Sequence, residues 1–127
     1  MTDLPEFLHA CITQDELVAN AATPGPWFAN LTTHGDPSVV LDLRRPAFTT
    51  VATVSCSPAD YGRANNAHIA AWSPSRVLAE CDAKRKIVTE ASKYLPGQHG
   101  FGMAQSAMKF LTLTYADRPG YQEEWAN

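Results

Sequence analysis

The run Thr23-Pro24-Gly25-Pro26-Trp27 constrains this chain more than any other feature. Pro24 biases Thr23 away from helical angles, and Pro-Gly-Pro forces a turn that neither a helix nor a strand can run through. Any element before the run must stop there. Trp27 comes at once after it, and a rigid turn that delivers a large aromatic can pin the start of a sheet to a helix.

Before the turn, about residues 3–21 read as an amphipathic helix. Leu4, Phe7, Leu8, Cys11 and Ile12 fall at helical spacing, and Leu17 with Val18 is expected to resume the stripe. Asp3 and Glu6, three residues apart, suit a capping box.

After the turn, about residues 27–56 read as strand. Trp27 to Thr33 is one candidate. Val39, Leu41 and Leu43 alternate with Val40, Asp42 and Arg44, and Phe48 to Cys56 is rich in Thr and Val. The turn chemistry of His34-Gly35-Asp36-Pro37 and Arg45-Pro46 leaves short connections. Parallel strands need long crossovers, so the pattern predicts a three-stranded antiparallel meander with one wet face.

A loop is expected over 57–62, then helices over about 63–72, 74–95 and 103–116, and a tail over 117–127. Ser73-Pro74 is a helix start, with Ser at the N-cap and Pro at the first helical position. Val77, Leu78, Cys81, Val88 and Leu95 lie along one stripe, and Leu95-Pro96-Gly97 closes that helix. Residues 98–102 carry two glycines and read as a mobile link. In the last helix Met103, Ala107, Phe110, Leu111 and Leu113 are available for burial, and the tail is expected to dock by Tyr121 and Trp125. The fold class is therefore α+β in one domain, 1–127: an N-terminal helix, the meander, then two or three C-terminal helices packed on one face of the sheet.

Composition narrows the function. With 45% hydrophobic and 18% charged residues the chain is too apolar for a disordered protein. A formal charge of −3 argues against a generic nucleic-acid binder. The N-terminus shows no secretory pattern, and no apolar run approaches a membrane span. Cys11, Cys56 and Cys81 form no CxxC pair, so neither a disulfide framework nor a zinc knuckle is signalled.

No nucleophile elbow, phosphate loop, dinucleotide fingerprint or zinc-protease motif is present, and nothing signals a cofactor. His9, His34, His68 and His99 form no preformed ligand pair; a metal would need distant groups such as Cys56, Asp60 and His68. Asn65, Asn66 and His68 are the best polar cluster for a small ligand, with Trp27 nearby as a wall. Lys84, Arg85 and Lys86 make a basic run, flanked by Arg76 and Lys93. That helix carries five bases and three acids, less charge than phosphate binding usually recruits. Asp15-Glu16 and Glu123-Glu124 are sequence neighbours, which point apart on a helix and make poor acid–base couples.

Several blocks read together: Ala21-Ala22-Thr23-Pro24-Gly25-Pro26-Trp27, Asn66-Ala67-His68-Ile69-Ala70, Pro74-Ser75-Arg76-Val77-Leu78-Ala79-Glu80, Ala83-Lys84-Arg85, Tyr115-Ala116-Asp117-Arg118-Pro119-Gly120-Tyr121 and Glu124-Trp125. This set resembles a family of small proteins of actinobacteria and their phages. The first two blocks are also similar to early-region Ea-type proteins of phage lambda. The resemblance implies a phage or prophage accessory protein, cytoplasmic in a bacterial host, with no catalytic residues to carry over. It also implies two departures. Members often read His-Ile-Ala-Arg-His-Asp-Pro where this chain has His68-Ile69-Ala70-Ala71-Trp72-Ser73-Pro74, and often carry His where it has Arg118.

The first expectation is therefore a non-enzymatic interaction protein that binds a host or phage protein, self-associates as a dimer or higher oligomer, or both. Trp72 and Trp125 would be its aromatic anchors if exposed. The alternative is a ligand-binding or enzymatic pocket near Trp27, Asn65, Asn66 and His68. A weaker one is nucleic-acid binding through Arg76, Lys84, Arg85 and Lys86.

Overall fold

The computed structural model describes residues 3–30, 38–40, 50–53 and 59–127. Its elements run in the order helix α1 (Leu4–Ala21), strands β1 (Phe28–Asn30), β2 (Ser38–Val40) and β3 (Thr50–Thr53), then helices α2 (Ala59–Ala71), α3 (Pro74–Ala91) and α4 (Phe101–Thr112). Two short 3-10 helices close the chain, Leu113–Tyr115 and Glu123–Ala126. The class is α+β, with the strands coming after an N-terminal helix and before the C-terminal helices in chain order. The contacts divide the chain into two compact units, one of residues 1–17 with 79–127 and one of residues 18–78.

In the first unit the N-terminal helix forms for the reason its sequence gives. The Glu6 N–H donates to Asp3 Oδ1 at 2.8 Å, satisfying an orphan donor of the first turn. Leu4, Phe7, Leu8, Cys11 and Ile12 are all buried. The expected continuation through Leu17 and Val18 is corrected: both are exposed, and Ala19 is buried in their place. A period of 3.6 residues leads from Ile12 to Ala19 in two turns and leaves the two larger side chains off that line.

Helix α3 buries Cys81, Val88 and Ala91. It ends at Ala91 rather than near 95, because Lys93 N–H bonds Glu90 O and Tyr94 N–H bonds Ala91 O, the tighter spacing of a 3-10 turn. The glycine segment then holds hydrogen-bonded turns. Gln98 N–H donates to Leu95 O, Phe101 N–H to Gln98 O, and Gly100, at φ +92°, supplies the left-handed residue at the start of α4.

Helix α4 is turned the other way round from its expected orientation. It buries Ala104, Met108 and Thr112, while Met103, Phe110 and Leu113 face outward. Ala104, Met108, Leu111 and Tyr115 make an equally regular stripe, and Met108 on it turns toward the end of α3, its Sδ 3.9 Å from Ser92 Oγ. Tyr121 and Trp125 close on Phe7 with ring centroids at 6.2 and 5.0 Å, so the C-terminal segment docks as expected. Gly120, at φ +93°, makes that return possible, with the Phe7 ring 3.5 Å from where a Cβ would stand.

In the second unit β1 pairs with β2 and β2 with β3, both antiparallel, in sheet order β1-β2-β3. This is the expected meander. Ala29 faces Val39, which faces Ala52, and the second pairing shifts register between Val39 and Val40. Ser38, Val39 and Val40 are all buried, so the central strand lacks the alternation expected of a sheet with one wet face. Thr50 and Thr53 on β3 stay exposed. The strand readings over 31–37, 41–49 and 54–56 fall outside the described residues.

The Pro-Gly-Pro turn belongs to this unit. Trp27 Nε1 donates to Thr23 O at 2.9 Å, so the indole closes its own turn. The Gly25–Pro26 peptide is cis. Gly25 lies against the start of α3, where an added Cβ would meet Ser75 Oγ at 2.9 Å.

Helix α2 begins at Ala59, four residues before its expected start and inside the expected 57–62 loop. Ser57-Pro58 carries the same start signal as Ser73-Pro74, and Ala59, Ala64, Ala67, Ala70 and Ala71 favour helix strongly enough to carry Gly62. The helix packs on β1 and β2.

Candidate functional site

Helix α2 sorts the candidate residues by face. Gly62, Asn66 and, after the helix, Ser73 are buried. On the outer side Tyr61, Asn65, His68 and Trp72 stand at i, i+4, i+7 and i+11, the spacing of one helical ridge. All four are exposed, Tyr61 at 63% and Trp72 at 41%. Trp72 N–H donates to the carbonyls of His68 and Ile69, which carries the helical geometry one residue past the end of α2.

The ridge is ordered by stacking. The His68 and Trp72 rings lie 6.3 Å apart at 53°. The Arg76 guanidinium sits 4.1 Å over the Trp72 ring, and its Nη1 donates to Ala71 O at 3.4 Å. A cation over an exposed indole is worth about 0.5–1 kcal/mol, enough to favour one rotamer of each partner. Beside the ridge Ala64, Ala67 and Ala71 are exposed, so the aromatic side chains stand proud of a smooth surface.

Asn65, His68, Trp72 and Arg76 thus come together on one surface, joined by Tyr61, which the sequence pattern assigns to a loop. Asn66 does not join them. Its side chain is fully buried on another face of α2, and neither Nδ2 nor Oδ1 has a hydrogen-bond partner among the described residues. Trp27 is committed to its own turn. Among the described residues Trp27, Asn65, Asn66 and His68 do not converge as the expected pocket requires, since neighbours 65 and 66 point about 100° apart on a helix. Among the described residues no group of three or more His, Cys, Asp or Glu side chains gathers to hold a metal. The combination of Cys56, Asp60 and His68 lies partly outside them.

The remaining candidates belong to the other unit and are held by internal partners. Arg85 reaches α1, where Nη1 lies 3.0 Å from His9 Nδ1 and Nη2 donates to Thr13 Oγ1 at 3.1 Å and to the Glu16 carboxylate. Lys84 lies 5.2 Å from the Tyr115 ring centre and 3.4 Å from its hydroxyl. Arg118 binds Asp15 at 2.6 Å and lies 5.1 Å from the centre of the same Tyr115 ring. Asp15 and Glu16 therefore point apart, as helix neighbours must, and each meets its own arginine. Lys86 and Lys93 pair with Asp82 and Glu90 on their own helix segment. Trp125, a candidate anchor on condition of exposure, is buried with its ring 5.0 Å from Phe7 and 5.8 Å from Tyr121, so that role falls to Trp72 alone of the two.

Burial pushes the Tyr115 phenol above its ordinary range, and the Asp15 carboxylate adds to the shift by its charge and by accepting the phenol's hydrogen bond. Burial likewise raises the thiols of Cys11 and Cys81. Both cysteines are free, buried and held as thiols, the opposite of an activated nucleophile.

Fold and surface together define a small α+β protein with an exposed aromatic ridge. The chain belongs to the family of unknown function DUF6221, whose model matches residues 1–127. No curated protein and no solved structure matches the chain. Among the described residues no helix is long and apolar enough to cross a membrane.

Proposed function

We propose that this chain is a non-enzymatic interaction protein whose contact surface is the ridge of α2. The observation that carries the reading is the exposed Trp72 with Arg76 stacked on it. Trp, Tyr and Arg are the residue types that supply most binding energy at protein interfaces, and this surface offers one of each, on α2, just after it and on the first turn of α3. The stacked pair is pre-ordered, so a partner that covers it does not have to immobilise two long side chains. The sequence blocks similar to actinobacterial and actinophage proteins support a phage or prophage accessory role in the host cytoplasm, with a host protein as partner.

The commitment of Lys84 and Arg85 to Tyr115 and Glu16 weighs against nucleic acid as the alternative. The dispersal of Asn65 and Asn66 weighs against a small-molecule pocket.

The test is affinity capture of the tagged chain from a mycobacterial lysate, with Trp72→Ala and Arg76→Ala run beside it. One reproducible protein captured by the parent chain and lost with Trp72→Ala is the expected result. An empty capture, or one indifferent to both substitutions, overturns the reading. Retardation of duplex DNA at low salt would replace it with the nucleic-acid alternative.

A further inference from the structure

Helix α4 turns a second apolar surface outward, on the unit that does not carry the ridge. Met103 is 81% exposed, Phe110 68% and Leu113 52%. Met103 and Phe110 are seven residues apart and so lie on one line of the helix, with the small Ser106 and Ala107 between them. This is the face that periodicity alone assigns to a core.

The line of side chains has a groove on each side. One, of about 650 Å³, runs between α4 and the last 3-10 helix, with Gly102, Ser106, Lys109, Leu113 and Trp125 in its walls. The other, of about 220 Å³, lies toward the end of α3 and is lined by Ala91, Tyr94, Met103 and Ala107, among others. Projecting side chains and the hollows to receive them thus occur side by side on one helix. Small residues at the midpoint permit close approach of a second helix.

We propose that this face is the contact surface of a two-fold dimer of the chain, with α4 packed antiparallel on its copy. An axis between Ser106 and Ala107 sets Met103 of each copy against Phe110 of the other, since the two are equally far from that midpoint. Each Phe110 then enters a groove of the opposite copy. Such a surface is self-complementary, which is what a two-fold interface requires. The charges agree. Lys109 is the one charged residue of α4, and Glu123 and Glu124 are exposed on the 3-10 helix that walls the groove. Each copy therefore carries both a cation in the groove and two carboxylates on the 3-10 helix beside it, opposite charges that a two-fold arrangement can pair between copies.

The dimer is independent of the α2 ridge, and Trp72→Ala is expected to leave it intact. The test is sedimentation velocity of the purified full chain over a wide concentration range. A mass rising toward twice 13.8 kDa is expected. Phe110→Glu is expected to weaken the dimer by about 30-fold or more, as loss of a central aromatic anchor does. Met103→Glu is a second variant at a still more exposed position, and circular dichroism verifies the fold of both. The register has its own readout. Met103→Cys mixed with Phe110→Cys is expected to form a disulfide-linked pair on mild oxidation, well above either variant alone. A monomer at every concentration overturns the proposal. So does a dimer indifferent to both glutamates, or cross-linking no greater in the mixture. If the chain stays monomeric and Phe110→Glu abolishes binding of another protein, the face serves that protein and the dimer is wrong.

Discussion

Arg118 meets Asp15 at 2.6 Å across 103 residues of chain, and the same guanidinium lies 5.1 Å from the centre of the Tyr115 ring. The pair ties the C-terminal segment to α1, and both side chains are about a third exposed or less. Partial burial raises its worth above that of a surface pair, while remaining solvent limits it. Arg118→Ala is expected to cost about 1–2 kcal/mol. Asp15→Asn should cost a similar amount, and the double variant less than the sum. Urea denaturation of the four proteins checks this, and strict additivity would show that the contact contributes nothing.

Trp125 stands near the end of the sequence, yet its ring packs 5.0 Å from Phe7. Trp125→Ala removes the largest member of that cluster and is expected to lower stability by about 3 kcal/mol. Gly120→Ala forces a side chain into a left-handed conformation beside the Phe7 ring, at an expected cost of about 1–2 kcal/mol. Thermal unfolding followed by circular dichroism checks both. A Trp125→Ala protein as stable as its parent would mean that the tail is not docked in solution.

Much of this fold was legible in the sequence because short-range rules decided it. Asp3 caps α1, the Pro-Gly-Pro run ends it, and Ser73-Pro74 starts α3 where the pattern places it. The orientation of α4 was not legible. Two stripes of similar regularity run along that helix, and the buried one is the one whose Met108 meets Ser92 at the end of α3, a contact between segments that local periodicity does not show. The α2 ridge was half legible. Asn65 and His68 were visible as part of a polar cluster and Trp72 separately as an aromatic anchor, but Tyr61 was hidden because Gly62 beside it looks like a break. Asn66 groups with Asn65 in the sequence because adjacency hides a change of face. The roles of Lys84 and Arg85 were hidden for another reason: their partners Tyr115 and Glu16 are distant in sequence, and local charge counting sees only a basic run.

The raised pKa values give stability a definite pH dependence. Tyr115, Cys11 and Cys81 each hold their proton more tightly folded than unfolded. Below the unfolded values, 9.0 for the thiols and 10.0 for the phenol, both states are protonated and the contribution is complete. Above them the unfolded chain releases protons that the folded chain keeps, so stability falls as pH rises. The melting temperature is therefore expected to decline from about pH 9 upward. Tyr115→Phe should make the decline shallower while keeping the ring, and native Cys11 and Cys81 should react with a thiol reagent only after unfolding. A pH profile unchanged by Tyr115→Phe would sink the assignment to the phenol.

The surface of α2 predicts a separation of stability from binding. Trp72 is exposed and its ring meets only the His68 ring and the Arg76 guanidinium among the described aromatic and cation contacts, so Trp72→Ala should change stability by no more than about 1 kcal/mol. An anchor at the centre of an interface carries about 2 kcal/mol or more, which is a loss of roughly 30-fold in affinity. Arg76→Lys keeps the charge but loses the planar group that stacks on the indole, so it should fall between parent and alanine. Tyr61→Ala, at the far end of the ridge, should weaken binding less than Trp72→Ala if the contact is centred on the stacked pair. Titration calorimetry of the captured partner against these variants decides this. Equal losses in stability and affinity for Trp72→Ala would mean that the indole supports the fold and that the ridge is not the contact surface.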